Sequence, residues 1–520
     1  MYWNPPIKLN KVEEKIAKRT NKAKKFFVFL RKHRDKIISK EFQDKIINTY
    51  RDDDGGGKMP VLPGQITMLL LLQAYCSVGD KEAIELTVMD KRWQMVLNCL
   101  NNDTPPFSQG TLVNFRNRLI ENNLDKELLE NTVSIAEKYG GFGPRQLRAV
   151  LDSSPLFGAG RVEDTFNLLG HAISKAVTVA AKELKTSEIE LIREAGLELI
   201  GQSSLKAALD LDWGKTNAKS EALDKILFEL DKWKSWLEEQ KEISIKTPPM
   251  KDIMETIEKI IGQDTDPDPD GAGRKIKKGV SKDRIISIED KDMRHGRKSS
   301  SKKFNGFKQH LLGAIDSKVI KEVVVRPANE AEQNVIDYLI PDLEPDLAEL
   351  SIDLGYVGHP KIKEWESNGI KIVARPWRKN KNGMFTKDDF TFDFEKMQII
   401  CPDGKEKVIH LGKSVSFSPS VCNNCKLKSK CTNSKSGRAI NIRDDEEIQY
   451  ARKEKMKTPE GRADLRKRVV IEHRIAHQVS NQGRKVRYNG IRKNQYDGRR
   501  HASVINLQLA QQYYEQKEVA

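Results

Sequence analysis

The sequence predicts a mixed α/β protein set behind a helical front, and three observations carry that expectation. Residues 1–140 keep a helical spacing of apolar positions with few interruptions. Short apolar runs of strand type then recur at 146–152, 304–316, 318–329 and 347–356, and once more at IKIVARP. Between the first and second of these runs lies another long helical stretch, as an insertion would give. With 520 residues there is chain enough for two or three cores.

In order, residues 1–58 are basic and helical in pattern, closing on DDDGGGK at 52–58, a turn or joint. The helical block from Pro60 includes ITMLLLLQAYC at 66–76, the longest apolar run and too short to span a bilayer. Ser108 is the expected N-cap of a helix with Leu112, Phe115, Arg116 and Leu119 on one face. Arg116 and Arg118 would reach DNA if these helices form a helix-turn-helix-like unit; an ordinary bundle with solvated arginines has the same pattern. QLRAVLD then reads as a strand that ends on Asp152 before an SSP turn. Residues 171–265 are a predicted helical insertion. They lead into DTDPDPDGAGRKIKKG (264–279), a charged linker whose two prolines and missing terminal glutamate exclude an EF-hand.

The runs at 304–316 and 318–329 predict a β-hairpin turning at Asp316-Ser317-Lys318. A short helix, EAEQNVIDYLI, leads to LAELSIDLGY, a strand ending on Asp353; the helix HPKIKEWESNG and the strand IKIVARP follow. After Trp377 the chain reads as lysine-rich and irregular as far as Cys401. Last comes RADLRKRVVIEHRIAHQVS (462–480), one predicted helix with Leu465, Val469, Ala476 and Val479 on its inward face and Glu472 among them. A carboxylate in an apolar stripe is costly unless paired, protonated or metal-bound, and an ion pair with Arg468 would equally account for it. The order strand, strand, strand, helix, strand, helix, strand, helix is that of a ribonuclease-H-like domain. In that topology Asp152, Asp353 and Glu472 meet at one edge. Three carboxylates so crowded call for cations, and two Mg²⁺ or Mn²⁺ ions suit their oxygens and in-line attack on a phosphodiester.

The formal charge of +16 points to a polyanionic partner, nucleic acid first, although ribosomal association or an acidic membrane surface would give the same bulk number. The polar opening MYWNPPIKLN has no signal-peptide core, so a cytoplasmic, nucleoid-associated protein is expected. Six unevenly spaced cysteines do not form a disulfide framework. Four of them, Cys401, Cys422, Cys425 and Cys431, include a C-x2-C pair and are a candidate structural Zn²⁺ site; four unpaired thiols in a loop are the alternative. The run RKVRYNGIRKNQYDGRRHA (484–502) would follow a DNA backbone, with Tyr488 and Tyr496 stacking on bases, or else be a solvated loop.

At this point LDSSPLFGAGRVEDTFNLL, IDLGYVGHP and RVVIEHRIAH, around Asp152, Asp353 and Glu472, together resemble the DDE transposases of bacterial insertion sequences. RHGRKSSSKKFNGFKQHLLGAID is similar to that family's second-strand motif. CNNCKLKSKCTNSKSGR is similar to a cysteine cluster that one subgroup carries between the second Asp and the Glu. The likeness runs from about residue 25 to 510. It implies Asp152, Asp353 and Glu472 as the catalytic, Mg²⁺-binding triad of an enzyme that binds terminal inverted repeats, cuts the ends and joins them to target DNA, as a homo-oligomer. Arg468 matches the arginine of the family's Y-x2-R-x3-E-x6-K pattern, but Leu465 replaces the tyrosine and Val479 the lysine. Arg484 or Lys485 would have to supply that lysine's phosphate contact. With Arg116, Arg118, Arg468, Arg487 and Arg492 they make up the candidate DNA-binding residues. A non-catalytic DNA-binding regulator and a structure-specific nuclease without a joining step are the rival expectations. The expected division is a helical N-terminal, DNA-binding domain (1–140), a catalytic domain (141–170 and 280–510), a helical insertion (171–265) and a Cys-rich insertion (378–445).

Overall fold

The computed structural model describes residues 2–50, 61–202, 204–240, 247–269, 271, 273–299, 301–376 and 383–519. The DDDGGGK joint and the start of the lysine-rich stretch after Arg375-Pro376 lie outside the described residues.

A six-stranded mixed sheet carries the site. Its strands are β1 (Leu147–Phe157), β2 (Arg294–Arg297), β3 (Lys303–Ala314), β4 (Ile320–Pro327), β5 (Leu347–Ile352) and β6 (Lys371–Val373). β1 lies between β3, to which it is antiparallel, and β5, to which it is parallel. β3 also pairs antiparallel with β4 through the expected hairpin and with β2 through its first residues, while β6 extends the parallel side beyond β5. The chain therefore turns back on itself where the connection is short and crosses over where a helix intervenes. The crossovers are the helices Ile336–Leu343, between β4 and β5, and Pro360–Ser367, between β5 and β6.

In front of the sheet the described residues form eight α-helices, from Lys11–Arg19 to Leu124–Gly140, and Ser108 caps the Gln109–Glu121 helix through the Thr111 amide as its spacing predicts. Their core, built on Phe27, Leu30, Leu69, Leu71, Trp93 and Leu119, is continuous with Val504, Leu507 and Ala510 of the last helix, Ile491–Val519. That helix packs on Leu124–Gly140 and on β4 and holds the helical front against the sheet. Helices Thr165–Leu184, Ala218–Glu239 and Pro248–Asp264 enclose a second core around Ile173, Ile226, Trp233 and Ile257.

Three local expectations are corrected. The stretch 264–279 is not a plain linker: Thr265–Pro267 pairs with Arg274–Ile276 in a small hairpin, and Asp264 is buried against Arg284 at 2.7 Å. Among the described residues up to Cys401 the chain is not irregular either, since Thr391–Asp393 and Gln398–Ile400 form a three-stranded sheet with Glu406–Val408 over a core of Phe390, Phe392, Ile399 and Phe417. Nor does the first strand stop at Asp152; it runs on to Phe157 along β3, where Gly306, at φ 141°, lets the two backbones approach closely. A Cβ on Gly306 would lie 2.3 Å from the Leu156 carbonyl oxygen. No helix among the described residues is long and apolar enough to cross a membrane.

Candidate active site

Parallel pairing of β1 with β5 brings the two aspartates together. The ladder matches Leu151 with Ile352 and ends there, so the next residue on each strand, Asp152 and Asp353, stands at the same level of the same sheet edge. After Asp353 the chain turns at once, with the Tyr356 amide donating to the Asp353 carbonyl at 3.1 Å. Both carboxylates converge on Arg468. Its Nη2 donates to Asp152 Oδ2 at 3.1 Å and its Nη1 to Asp353 Oδ1 at 3.3 Å.

Burial raises the pKa of Asp152 above the ordinary carboxylate range; Arg468 and the Ser153 amide, which donates to Asp152 Oδ1 at 2.7 Å, pull the other way, and Asp353 adds to the rise. Ser153 Oγ donates to Glu332 Oε1 at 2.9 Å. Gly355 makes room for that glutamate, since a Cβ there would fall 2.0 Å from Glu332 Oε2. Beneath lies a buried pair, the Tyr356 hydroxyl and His310 Nδ1, 2.7 Å apart. Burial pushes His310 down to about 3, so the ring is neutral at ordinary pH and the tyrosine remains a phenol. Glu332, Ser153, Tyr356 and His310 escape sequence reasoning because each reads as an ordinary turn, cap or strand residue until the chain folds.

The predicted helix 462–480 is two helices, Pro459–Arg466 and Val469–Gln482. Between them the hydrogen bonds run three residues back rather than four: Lys467 to Asp464, Arg468 to Leu465, Val470 to Lys467 and Ile471 to Arg468. Such a tightened turn advances each residue by about 120° rather than 100° and rotates everything downstream. The inward face is consequently Ile471, Gln478 and Gln482, whereas Val469, Glu472 and Ala476 are exposed. Glu472 is thus corrected from an inward-facing acid to a solvent-facing one in the first turn after Arg468. Arg468 pairs with the two aspartates, and among the described residues no ion pair joins it to Glu472 as the alternative reading had it. Among the described residues no group of three or more His, Cys, Asp or Glu is arranged to hold a metal ion.

The candidate DNA-binding residues divide. Arg116 is buried, bonded to Asp80 at 2.5 Å and set over the Tyr488 ring. Arg118 donates to the Thr49 carbonyl and stacks on Tyr50. Arg487 donates to the Ser77 and Val78 carbonyls, and Arg492 pairs with Asp125. Arg487 stays exposed and Arg492 half-exposed, whereas Arg116 and Arg118 are committed to internal contacts, a correction to both the helix-turn-helix reading and the solvated-bundle reading. Tyr496 is likewise buried and unavailable for base stacking, because most of the basic run 484–502 belongs to the packed last helix. Arg484 and Lys485 are solvent-exposed beside the end of β1, where the Phe157 amide donates to the Arg484 carbonyl.

Cys401, Cys422, Cys425 and Cys431 surround one small pocket of about 30 Å³ beside Phe417 and Arg438. The Lys405 amide donates to Cys401 Sγ and the Leu427 amide to Cys425 Sγ, each at 3.3 Å. Burial, and then its three cysteine neighbours, push the Cys431 thiol up, partly offset by Arg438.

Residues 395–509 match the family model described as a transposase DDE domain. Over that span the chain is similar to the DDE transposases. No curated protein and no solved structure matches it. The matched span includes the four cysteines, Arg468 and Glu472 and leaves out Asp152 and Asp353, which the sheet register brings to Arg468.

Proposed function

We propose that this protein is a transposase that binds the terminal inverted repeats of its element, cleaves DNA strands there and joins them to target DNA, with Asp152, Asp353 and Glu472 as its catalytic residues. The single observation supporting this reading is the meeting of Asp152 and Asp353 on one cationic group at the edge of a sheet. The strand order β4-β3-β1-β5-β6, antiparallel then parallel, supports a ribonuclease-H-like catalytic domain.

The donor set suits a divalent ion. Two carboxylates already bracket a positive charge, and carboxylate oxygens favour Mg²⁺ or Mn²⁺. Asp152 and Asp353 would hold such an ion, and Glu472 would join them through a shift of its exposed side chain. Bound there, a pair of ions would supply charge neutralisation at the phosphodiester and activation of an oxygen nucleophile. The protein itself orients Asp152 through the Ser153 amide and holds the floor of the site rigid through the neutral Tyr356–His310 pair. Arg484 and Lys485 would meet phosphates, and a homo-oligomer would hold two element ends.

Asp152→Asn, Asp353→Asn and Glu472→Gln should each abolish Mg²⁺-dependent cleavage of a duplex bearing the element end while retaining its binding in a mobility-shift assay. Retained cleavage removes that residue from the site. Cut ends without joined products would favour a structure-specific nuclease, and binding with no cleavage by the unaltered chain would favour a regulator.

The thiol-lined pocket supports a second proposal, one structural Zn²⁺ held by Cys401, Cys422, Cys425 and Cys431. The two amide donors to sulfur suit thiolate ligands, and a small core built on a few aromatic and isoleucine side chains gains from a metal staple. The thiols would close around the ion on binding. Metal analysis should find one zinc equivalent per chain, lost in Cys422→Ser/Cys425→Ser; a zinc-free unaltered chain refutes it.

A further inference from the structure

Arg468 is bonded unlike Arg499 and Arg284, although a buried Nε without a hydrogen-bond partner among the described residues is shared with Arg34, Arg116, Arg452 and Arg500. Arg499 grips Glu322 through Nε at 2.8 Å and Nη2 at 2.9 Å and reaches Asp125 with Nη1 at 3.1 Å. Arg284 holds Asp264 through Nε at 2.8 Å and Nη2 at 2.7 Å. Those are the two-pronged contacts a guanidinium makes best. Arg468 instead gives one N–H to each of two different carboxylates, at 3.1 and 3.3 Å, and its buried Nε has no hydrogen-bond partner. An unsatisfied buried donor carries its full desolvation penalty. The guanidinium is therefore placed by charge between two acids rather than by complementary bonding to either.

Its surroundings leave it a way out. Arg468 belongs to the tightened turn between two helices, and the helix after it is fixed by Ile471, Gln478 and Gln482 and not by Arg468. On the other side of the guanidinium, the Asp353 side chain is 49% exposed, so the cleft opens to solvent there. Lys467, the preceding residue, is separately anchored to Asp464 at 2.6 Å.

On the reading that Asp152 and Asp353 bind a divalent ion, we propose that Arg468 occupies that ion's place in the DNA-free chain. Metal loading then requires the guanidinium to withdraw, and the phosphodiester entering the cleft draws it off. A guanidinium left between the carboxylates would repel the incoming ion at close range. The free enzyme is accordingly poor in metal, and the cleavage centre is assembled only when DNA is present, which couples metal occupancy to substrate.

The test is Mn²⁺ binding to the full chain, followed by the electron paramagnetic resonance of free Mn²⁺, with and without a duplex oligonucleotide of arbitrary sequence. Without DNA, Arg468→Gln should bind Mn²⁺ roughly tenfold or more tightly than the unaltered chain, because a competing charge has gone. Arg468→Lys, which keeps the charge, should stay near the unaltered value. DNA should tighten Mn²⁺ binding by the unaltered chain and leave Arg468→Gln largely unchanged. Equal or weaker binding by a folded Arg468→Gln overturns the proposal, as does DNA-independent metal affinity in the unaltered chain. Asp152→Asn in the Arg468→Gln background separates the two levels: the gained binding should vanish. Binding that survives both changes removes the ion from this site and with it the underlying reading. Should Arg468→Gln fail to fold, tight Mn²⁺ binding by Arg468→Lys without DNA would overturn the proposal by itself.

Discussion

Ile471 fixes the helix that follows Arg468 and carries Glu472, and its removal offers a sharp test of how the site is held. It is fully buried, in a cluster with Leu129, Val150, Leu311, Val323 and Ile505, and its helix otherwise buries only Gln478 and Gln482. Truncation to alanine removes the transfer energy of the lost carbons and leaves a cavity against a sheet that cannot readily collapse, a cost of about 2–5 kcal/mol. Ile471→Val should cost about 1 kcal/mol, as one methylene does. Gly313, on β3, approaches from the other side, and a methyl there would stand 3.0 Å from Ile471 Cδ1 and 3.3 Å from the Val319 carbonyl oxygen. Gly313→Ala should therefore overpack the same contact by about 1–3 kcal/mol. Denaturant melts give the global change, and amide exchange across Val469–Gln482 shows whether the helix opens locally. A loss below about 1 kcal/mol for Ile471→Ala, with exchange across the helix unaltered, would refute the argument that this one side chain seats the helix on the sheet.

Three further outcomes are expected. Burial holds His33 at about 4, His310 at about 3 and His501 at about 4, all below the ordinary value of 6.5. Because the unfolded chain takes up protons that the native rings refuse, stability should be full above about pH 6.5 and fall as the pH drops towards 4. The slope should be up to about 1.4 kcal/mol per pH unit for each ring, and flat melting temperatures across that window would count against neutral buried histidines. Arg116→Met should cost about 2–3 kcal/mol, since Asp80 loses its main partner but keeps Gln73. The folded protein should still bind DNA as before, whereas Arg484→Ala/Lys485→Ala should lower the salt slope of binding by about two phosphate contacts. The reverse pattern in mobility shifts would restore Arg116 as a DNA contact.

Much of this architecture was legible in one dimension. Strand-length apolar runs, the hairpin around Asp316-Ser317-Lys318 and the Ser108 cap are local properties, set by side-chain alternation and by which residue can accept from a free amide. The resemblance of the acidic motifs to DDE transposases was equally local, and the matched domain agrees with it. The fate of individual charges was not legible. Arg116, Arg492 and Tyr496 sit in stretches whose composition is that of a DNA-binding surface, yet Arg116 is buried against Asp80, and the last helix pairs Arg492 with Asp125 of the helical front and buries Tyr496.

The late helix shows the same division most clearly. Its helical character follows from composition, but its inward face depends on a turn that tightens by one hydrogen bond and rotates all that follows. The buried positions then include Gln478 and Gln482, which hydrophobic periodicity cannot flag because they are polar, Gln478 donating to the Gly498 carbonyl and Gln482 bonded to Gln309 and Asp497. By itself the sequence singled out Asp152 and Asp353, each following a run of apolar residues. Only the tertiary structure decided that Leu151 pairs with Ile352, and hence that residues 201 positions apart share one arginine. Register is a long-range property, fixed by packing on both faces of the sheet, and no local pattern encodes it.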